Sequence, residues 1–188
     1  DVEINSVTFD GTPNGANPRG TALSVNTNVK NARILNCRFL NCGGTDWTGS
    51  PVLALAGVTR LSIIGNIFEN TVAQNAITVN ANVASPGSPN PARDILISEN
   101  IINGTTLSAN QYEGNGIWIG HSDGVTCSNN RISNIGRIGI ELFYTHRGVV
   151  ENNHVIDVAS MGISMGNSNN SVVVGNAEKK GPEQVAVA

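Results

Sequence analysis

Apolar residues recur along this chain at two superposed intervals, one short and one long. At short range they alternate, as in Ile117/Ile119, Ile140/Leu142 and Ile163/Met165, which is the period of a strand with one buried face. At long range a whole phrase returns. RISNIGRIGIELF (Arg131–Phe143) and HVIDVASMGISMG (His154–Gly166) each follow an asparagine, Asn130 and Asn153. Each places an aliphatic residue two positions beyond that asparagine, then reaches a Gly-Ile pair, Gly139-Ile140 and Gly162-Ile163.

The phrase extends outward in both directions. GNIF (Gly65–Phe68) and ENII (Glu99–Ile102) fit it, and GNAE (Gly175–Glu178) fits with the aliphatic lost. NCRF (Asn36–Phe39) and SVTF (Ser6–Phe9) carry Cys37 and Val7 at the asparagine position. The key positions 7, 37, 66, 100, 130, 153 and 176 are spaced by 30, 29, 34, 30, 23 and 23 residues. Three residues earlier runs an apolar series: Ile4, Ile34, Ile63, Ile97, Cys127, Val150 and Val173. Earlier members of the alternating pairs are Leu23/Val25, Leu53/Leu55 and Ile77/Val79.

A repeat of 20 to 50 residues built from period-two segments specifies stacked strands. Each unit is too short for a propeller blade and has no helical face. It has the length of one coil of a solenoid whose strands pair with the coils above and below. The expected fold is all-β, a single-stranded parallel β-helix of about seven coils, forming one domain over 1–188. Asn66, Asn100, Asn130, Asn153 and Asn176 then stack at a turn, at a spacing of roughly 4.8 Å, as a ladder of amides.

Composition narrows the function classes. Of 188 residues only 13% are charged and 4% aromatic, and the net charge is −3. No basic cluster supports nucleic-acid binding, and no apolar run is long enough to insert in a membrane. The opening DVEINSVTF enters the pattern midway, so a mature form or an excised piece of a longer chain is expected. Cys37, Cys42 and Cys127 show no zinc spacing and are expected to be free. No cofactor and no metal are expected, since no dense acidic cluster suits calcium.

The coil-length differences locate candidate chemistry. Insertions fall at Asp10–Gly20, Cys42–Pro51, Asn80–Arg93 and Thr105–Gly114, loops of the kind where functional residues collect. They bring Trp47 beside Asp46, and Tyr112 beside Glu113. The outward positions of the Gly-Ile strand, one per coil, are Ser24, Ala54, Thr78, Trp118, Glu141 and Ser164. Trp118 and Glu141 therefore fall on adjacent coils, with His121, Tyr144 and His146 just beyond. An indole beside a carboxylate suits a sugar, whose apolar ring face stacks while its hydroxyls bond the acid. Arg137 precedes the strand and could neutralise a uronate, with His121, Tyr144 or His146 as base. Arg131 and His154 are outward on consecutive coils and read as surface residues. Glycosidic hydrolysis usually needs two carboxyl groups, and Glu141 has no acidic neighbour in its own column.

The asparagine phrase and its strand pattern resemble the right-handed parallel β-helix superfamily of pectate lyases and phage tailspikes, over nearly the whole chain. The resemblance implies a scaffold and does not by itself imply a chemistry. Polygalacturonases of this fold carry Asn-Thr-Asp, Asp-Asp, Gly-His-Gly and Arg-Ile-Lys signatures. Here only GHS (Gly120–Ser122) and RIS (Arg131–Ser133) stand as fragments. The Asp-His of pectate lyases and the Asp-Pro-His of alginate epimerases are missing. Three functions stay open. One is a carbohydrate-recognising domain of a tailspike, tail fibre or other extracellular protein. The second is a polysaccharide lyase, hydrolase or epimerase acting through Glu141, Arg137 and His121. The third is a structural spacer. The expected partner is a polysaccharide or oligosaccharide, at an extracellular or virion surface, and the tailspike resemblance implies a homotrimer.

Overall fold

The computed structural model describes residues 1–11, 21–43, 50–71, 75–80, 90–105 and 114–179. Coil one comprises β1 (Val2–Asn5), β2 (Thr8–Asp10) and β3 (Leu23–Val25), and coil two β4 (Lys30–Leu35), β5 (Arg38–Leu40) and β6 (Val52–Ala54). Coil three holds β7 (Thr59–Ile64), β8 (Ile67–Thr71) and β9 (Ile77–Asn80), and coil four β10 (Ala92–Ser98), β11 (Ile101–Thr105) and β12 (Ile117–Gly120). Coil five holds β13 (Ser122–Ser128), β14 (Arg131–Ile135) and β15 (Ile138–Phe143). Coil six holds β16 (His146–Glu151), β17 (His154–Val158) and β18 (Met161–Gly166), and coil seven β19 (Val172–Val174) and β20 (Ala177–Lys179). The first strands of the coils pair in sequence as sheet A, the second strands as sheet B and the third as sheet C, all parallel. That is the predicted parallel β-helix of seven coils.

The chain bends from sheet A to sheet B at one residue per coil. Ser6, Asn36, Gly65, Glu99, Asn129, Asn152 and Gly175 all have φ between 51° and 67°. This left-handed region favours Gly and Asn, which explains the residues most often found before the ladder asparagine. The ladder itself is continuous. The side-chain amide of Asn66 donates to Oδ1 of Asn100 at 3.0 Å, Asn100 to Asn130 at 3.0 Å, Asn130 to Asn153 at 2.9 Å and Asn153 to Asn176 at 2.9 Å. Each amide also donates to a carbonyl of the preceding coil, and each Oδ1 also accepts a backbone N–H from that coil. Asn66 and Asn100 are fully buried, and every polar atom of their side chains is satisfied.

Inside, residues of equal register form columns. Phe9, Phe39 and Phe68 stack with centroids 4.9 and 4.7 Å apart and planes within 8° of parallel. Ile102, Ile132 and Val155 continue that column, which ends at Glu178, where burial pushes the carboxyl above its usual range. The three cysteines are buried and form no disulfide, and burial raises the Cys127 thiol to about 12. The Gly of the Gly-Ile pair is required by crowding. A Cβ on Gly139 would lie 2.4 Å from Cγ1 of Val155 and 2.5 Å from the carbonyl oxygen of Gly162.

One register differs from the expectation. In coil two the inward pair is Val52/Ala54, and Leu53 takes the outward column position assigned to Ala54, pairing with Ser24 and Thr78. VLALA is apolar at every position, so alternation there carries no information on which parity faces inward.

Candidate functional site

Two aromatic rings lie along the outer face of sheet C. Trp118 pairs with Thr78 on one side and Glu141 on the other. Its indole folds over Gly120 two residues on, so closely that a Cβ there would sit 2.3 Å from Cη2. One coil further, Phe143 leans instead across to Gly166, its register partner on the next coil, with Cδ2 at 2.8 Å from such a Cβ. Period two puts Phe143 on the face of Glu141, so it was available to sequence reasoning and was overlooked.

Glu141 and Arg137 meet. One carboxylate oxygen, Oε2, accepts from Nη1 of Arg137 at 2.9 Å and from Nδ2 of Asn115 at 3.0 Å. The same Nη1 reaches Oδ1 of Asn115 at 3.2 Å, and the two charged side chains are only 20% and 14% exposed. Asn115 continues downward: its N–H donates to Oδ1 of Asn75, whose amide donates to Oγ1 of Thr78, which shares a 2.6 Å hydrogen bond with Ser50. A second polar column thus runs at the corner between sheets B and C, with Glu141 and Arg137 at its upper end. The pair is oriented by Asn115, a residue whose signal was its place two before Ile117, matching Asn75 before Ile77.

The corner between sheets C and A is built differently. His121, Tyr144 and Asn167, one per coil, bend the chain there with φ of 49°, 51° and 50°. His121 N–H donates to the Phe143 carbonyl and Tyr144 N–H to that of Gly166, which stacks the imidazole on the phenol at 5.1 Å and 12°. Phe143 touches Tyr144 edge-on at 4.5 Å, joining this corner to the aromatic face. His121 is 8% exposed, and desolvation lowers its pKa from 6.5, so the ring is neutral at neutral pH.

Beside them Asp123 accepts from Nε of Arg147 at 2.8 Å and bonds Nδ1 of His146 at 3.1 Å. The Arg147 hydrogen bond is the main cause holding the Asp123 carboxyl below its usual range, with His146 adding to it. Nε2 of His146 faces the Asn170 amide at 3.1 Å. Asp123 and Asn170 were not anticipated; they lie 23 and 24 residues from His146 and meet it only through strand register. Together these side chains bound an open groove of about 290 Å³ that reaches from Pro91 to Asn167 and Asn169.

Residues 88–181 match the family model described as the right-handed beta helix region. The chain belongs to the right-handed β-helix family. A search of curated proteins finds no match. Among solved structures, QnrB1, a plasmid-mediated fluoroquinolone resistance protein, aligns over 96% of this chain and 90% of its own at 10% identity. Its TM-score of 0.24 is too low to carry an argument.

Within the β-helix the sequence-predicted residues divide into groups. Trp118, Glu141 and Arg137 share the outer face of sheet C, and His121, Tyr144 and His146 share the neighbouring corner. Arg131 and His154 pair on exposed positions of sheet B, a different face. Trp47, Tyr112 and Glu113 lie outside the described residues. Among the described residues no group of three or more His, Cys, Asp or Glu side chains is placed to hold a metal ion.

Proposed function

We propose that this β-helix is a carbohydrate-recognising domain, holding an extended oligosaccharide against the outer face of sheet C. The observation that supports it is the pair of rings, Trp118 and Phe143, laid along adjacent coils over Gly120 and Gly166. A ring laid over a glycine offers an apolar platform, and two on adjacent coils suit successive sugar faces. Glu141, held by Arg137 and Asn115, supplies an oriented acceptor at the platform edge for sugar hydroxyls. The tailspike resemblance adds an extracellular or virion surface as the setting, with side-by-side homotrimers as the assembly.

Calorimetric titration against a panel of oligosaccharides tests the reading. Trp118→Ala should weaken binding by about 1–3 kcal/mol with little loss of stability. Glu141→Gln separates recognition from catalysis. A binding domain should keep most of its affinity, whereas a lyase, hydrolase or epimerase using this carboxylate should lose about a hundredfold or more in rate. Glycan affinity indifferent to Trp118→Ala would remove this face from the reading.

A further inference from the structure

We propose that the groove at the corner between sheets C and A is the hydrogen-bonding subsite of this glycan site, and that it selects an uncharged, hydroxyl-rich pyranose over a uronate or sialate. The proposal rests on the carbohydrate reading above and adds the substrate class. Its centre is His121, which is more than nine-tenths buried and lines the groove. No ring nitrogen of His121 has a hydrogen-bond partner among the described residues, although the buried polar side chains around it do. Ser122 Oγ donates to the Gly120 carbonyl and Thr145 Oγ1 reaches that of Ile119. The body of the imidazole is buried while its nitrogens stay open to the groove, where a ligand can take hydrogen bonds that no described side chain makes. As a neutral ring it offers one donor and one acceptor, the complement of a sugar hydroxyl.

The charge pattern chooses the class of sugar. No lysine or arginine lines the groove among the described residues, and the carboxylate that does, Asp123, would face an anionic sugar with like charge. The nearby guanidinium of Arg147 is already engaged by that carboxylate. A uronate would therefore give up its hydration and gain no ion pair. Uncharged groups complete the rim. The side chains of Asn167 and Asn169 make no hydrogen bond among the described residues, and each amide can both donate and accept. Their state contrasts with the buried asparagines of the ladder. Tyr144 closes the wall, its ring stacked on His121 and in edge contact with Phe143, so one extended ligand spans groove and platform.

The test titrates the full chain with maltohexaose, mannohexaose and galactohexaose, and in parallel with hexagalacturonate and a sialylated hexasaccharide. The variants are Trp118→Ala, His121→Asn and the exposed pair Asn167→Gly/Asn169→Ala, the glycine keeping the left-handed turn, with melting temperatures measured for each. The proposal expects at least one neutral hexasaccharide to bind more tightly than either anionic one. The double asparagine variant should lose about tenfold or more in that affinity at unchanged melting temperature, since each lost hydrogen bond is a substantial part of a decade. His121→Asn should lose at least as much in its folded fraction. Tighter binding of an anionic hexasaccharide that depends on Trp118 overturns this proposal and leaves the carbohydrate reading standing. So does neutral binding that depends on Trp118 and ignores both corner variants. Failure of every glycan to bind removes the carbohydrate reading, and this proposal with it.

Discussion

Two corners of the same coil use left-handed residues to turn the chain, and they treat polar side chains in opposite ways. At the bend from sheet A to sheet B, the asparagine that follows the turn residue points inward, and its amide is spent on the coils above and below. At the bend from sheet C to sheet A, the turn residues are His121, Tyr144 and Asn167, and the side chains of the first and last carry no hydrogen bond to a described residue. An imidazole and a phenol in the left-handed region cost more than Asn or Gly would, of order 1–2 kcal/mol for an ordinary residue. The first corner is a scaffold because its bonds close on themselves. The second leaves side chains open at the surface of a groove, where a ligand can bond them.

The sharpest way to break this contrast is to change the same residue type at each corner. Asn130→Ala leaves the Ile97 carbonyl and the Asn100 backbone N–H without their side-chain partner inside the stack and should cost about 1–3 kcal/mol of stability. Asn167→Gly, which keeps the left-handed turn and removes an exposed side chain, should stay within about 0.5 kcal/mol. Urea denaturation of both variants measures the difference; equal losses would mean that the two corners do the same job.

Acid should reveal the His121 environment more gently. Because burial lowers the folded-state pKa below 6.5, the unfolded chain binds a proton that the folded chain refuses. Stability should therefore fall as pH drops from about 6.5 to the lower folded value, and then level off for this group. Asp123 shifts downward from 3.8, so its contribution is present above that pH and is lost further into acid. His121→Asn should flatten the first part of the melting-temperature profile and spare the second. An identical slope in the variant would contradict the assignment.

The smallest effect belongs to Tyr144. Tyr144→Asn relaxes the left-handed backbone by about 1 kcal/mol, against the loss of two ring contacts of similar worth. Net stability should move by less than about 0.5 kcal/mol while glycan affinity falls, the reverse of the signature expected at Asn130. A marked drop in stability would reclassify Tyr144 as a structural corner residue.

The coil count, the ladder positions and the pairing of Trp118 with Glu141 were legible because each needs only one residue per repeat to declare itself. The parity of Val52–Leu55 was not, since a segment apolar at every position fits either face. Phe143 was legible by alternation, two residues from Glu141. Asp123 was hidden, because nothing near it in sequence marks it as the partner of His146 and Arg147. Asn115 was half-hidden. Its likeness to Asn75 could be seen, but its bond to Glu141 depends on Arg137 turning inward at a corner without an asparagine of its own.

What this chain determines by itself is a period. Alternating apolar residues and one asparagine per coil satisfy both the core and the turn amides only when the coils stack in register, so the β-helix and its ladder follow from the pattern. The state of the site was decided by tertiary structure alone. Whether Glu141 meets a cation, and whether His121 keeps an open nitrogen, depend on which side chains of neighbouring coils come within about 3 Å of one another at a corner. Those distances are set by coil-to-coil differences in turn residues and insertions, which break the period and leave no repeating signal to read.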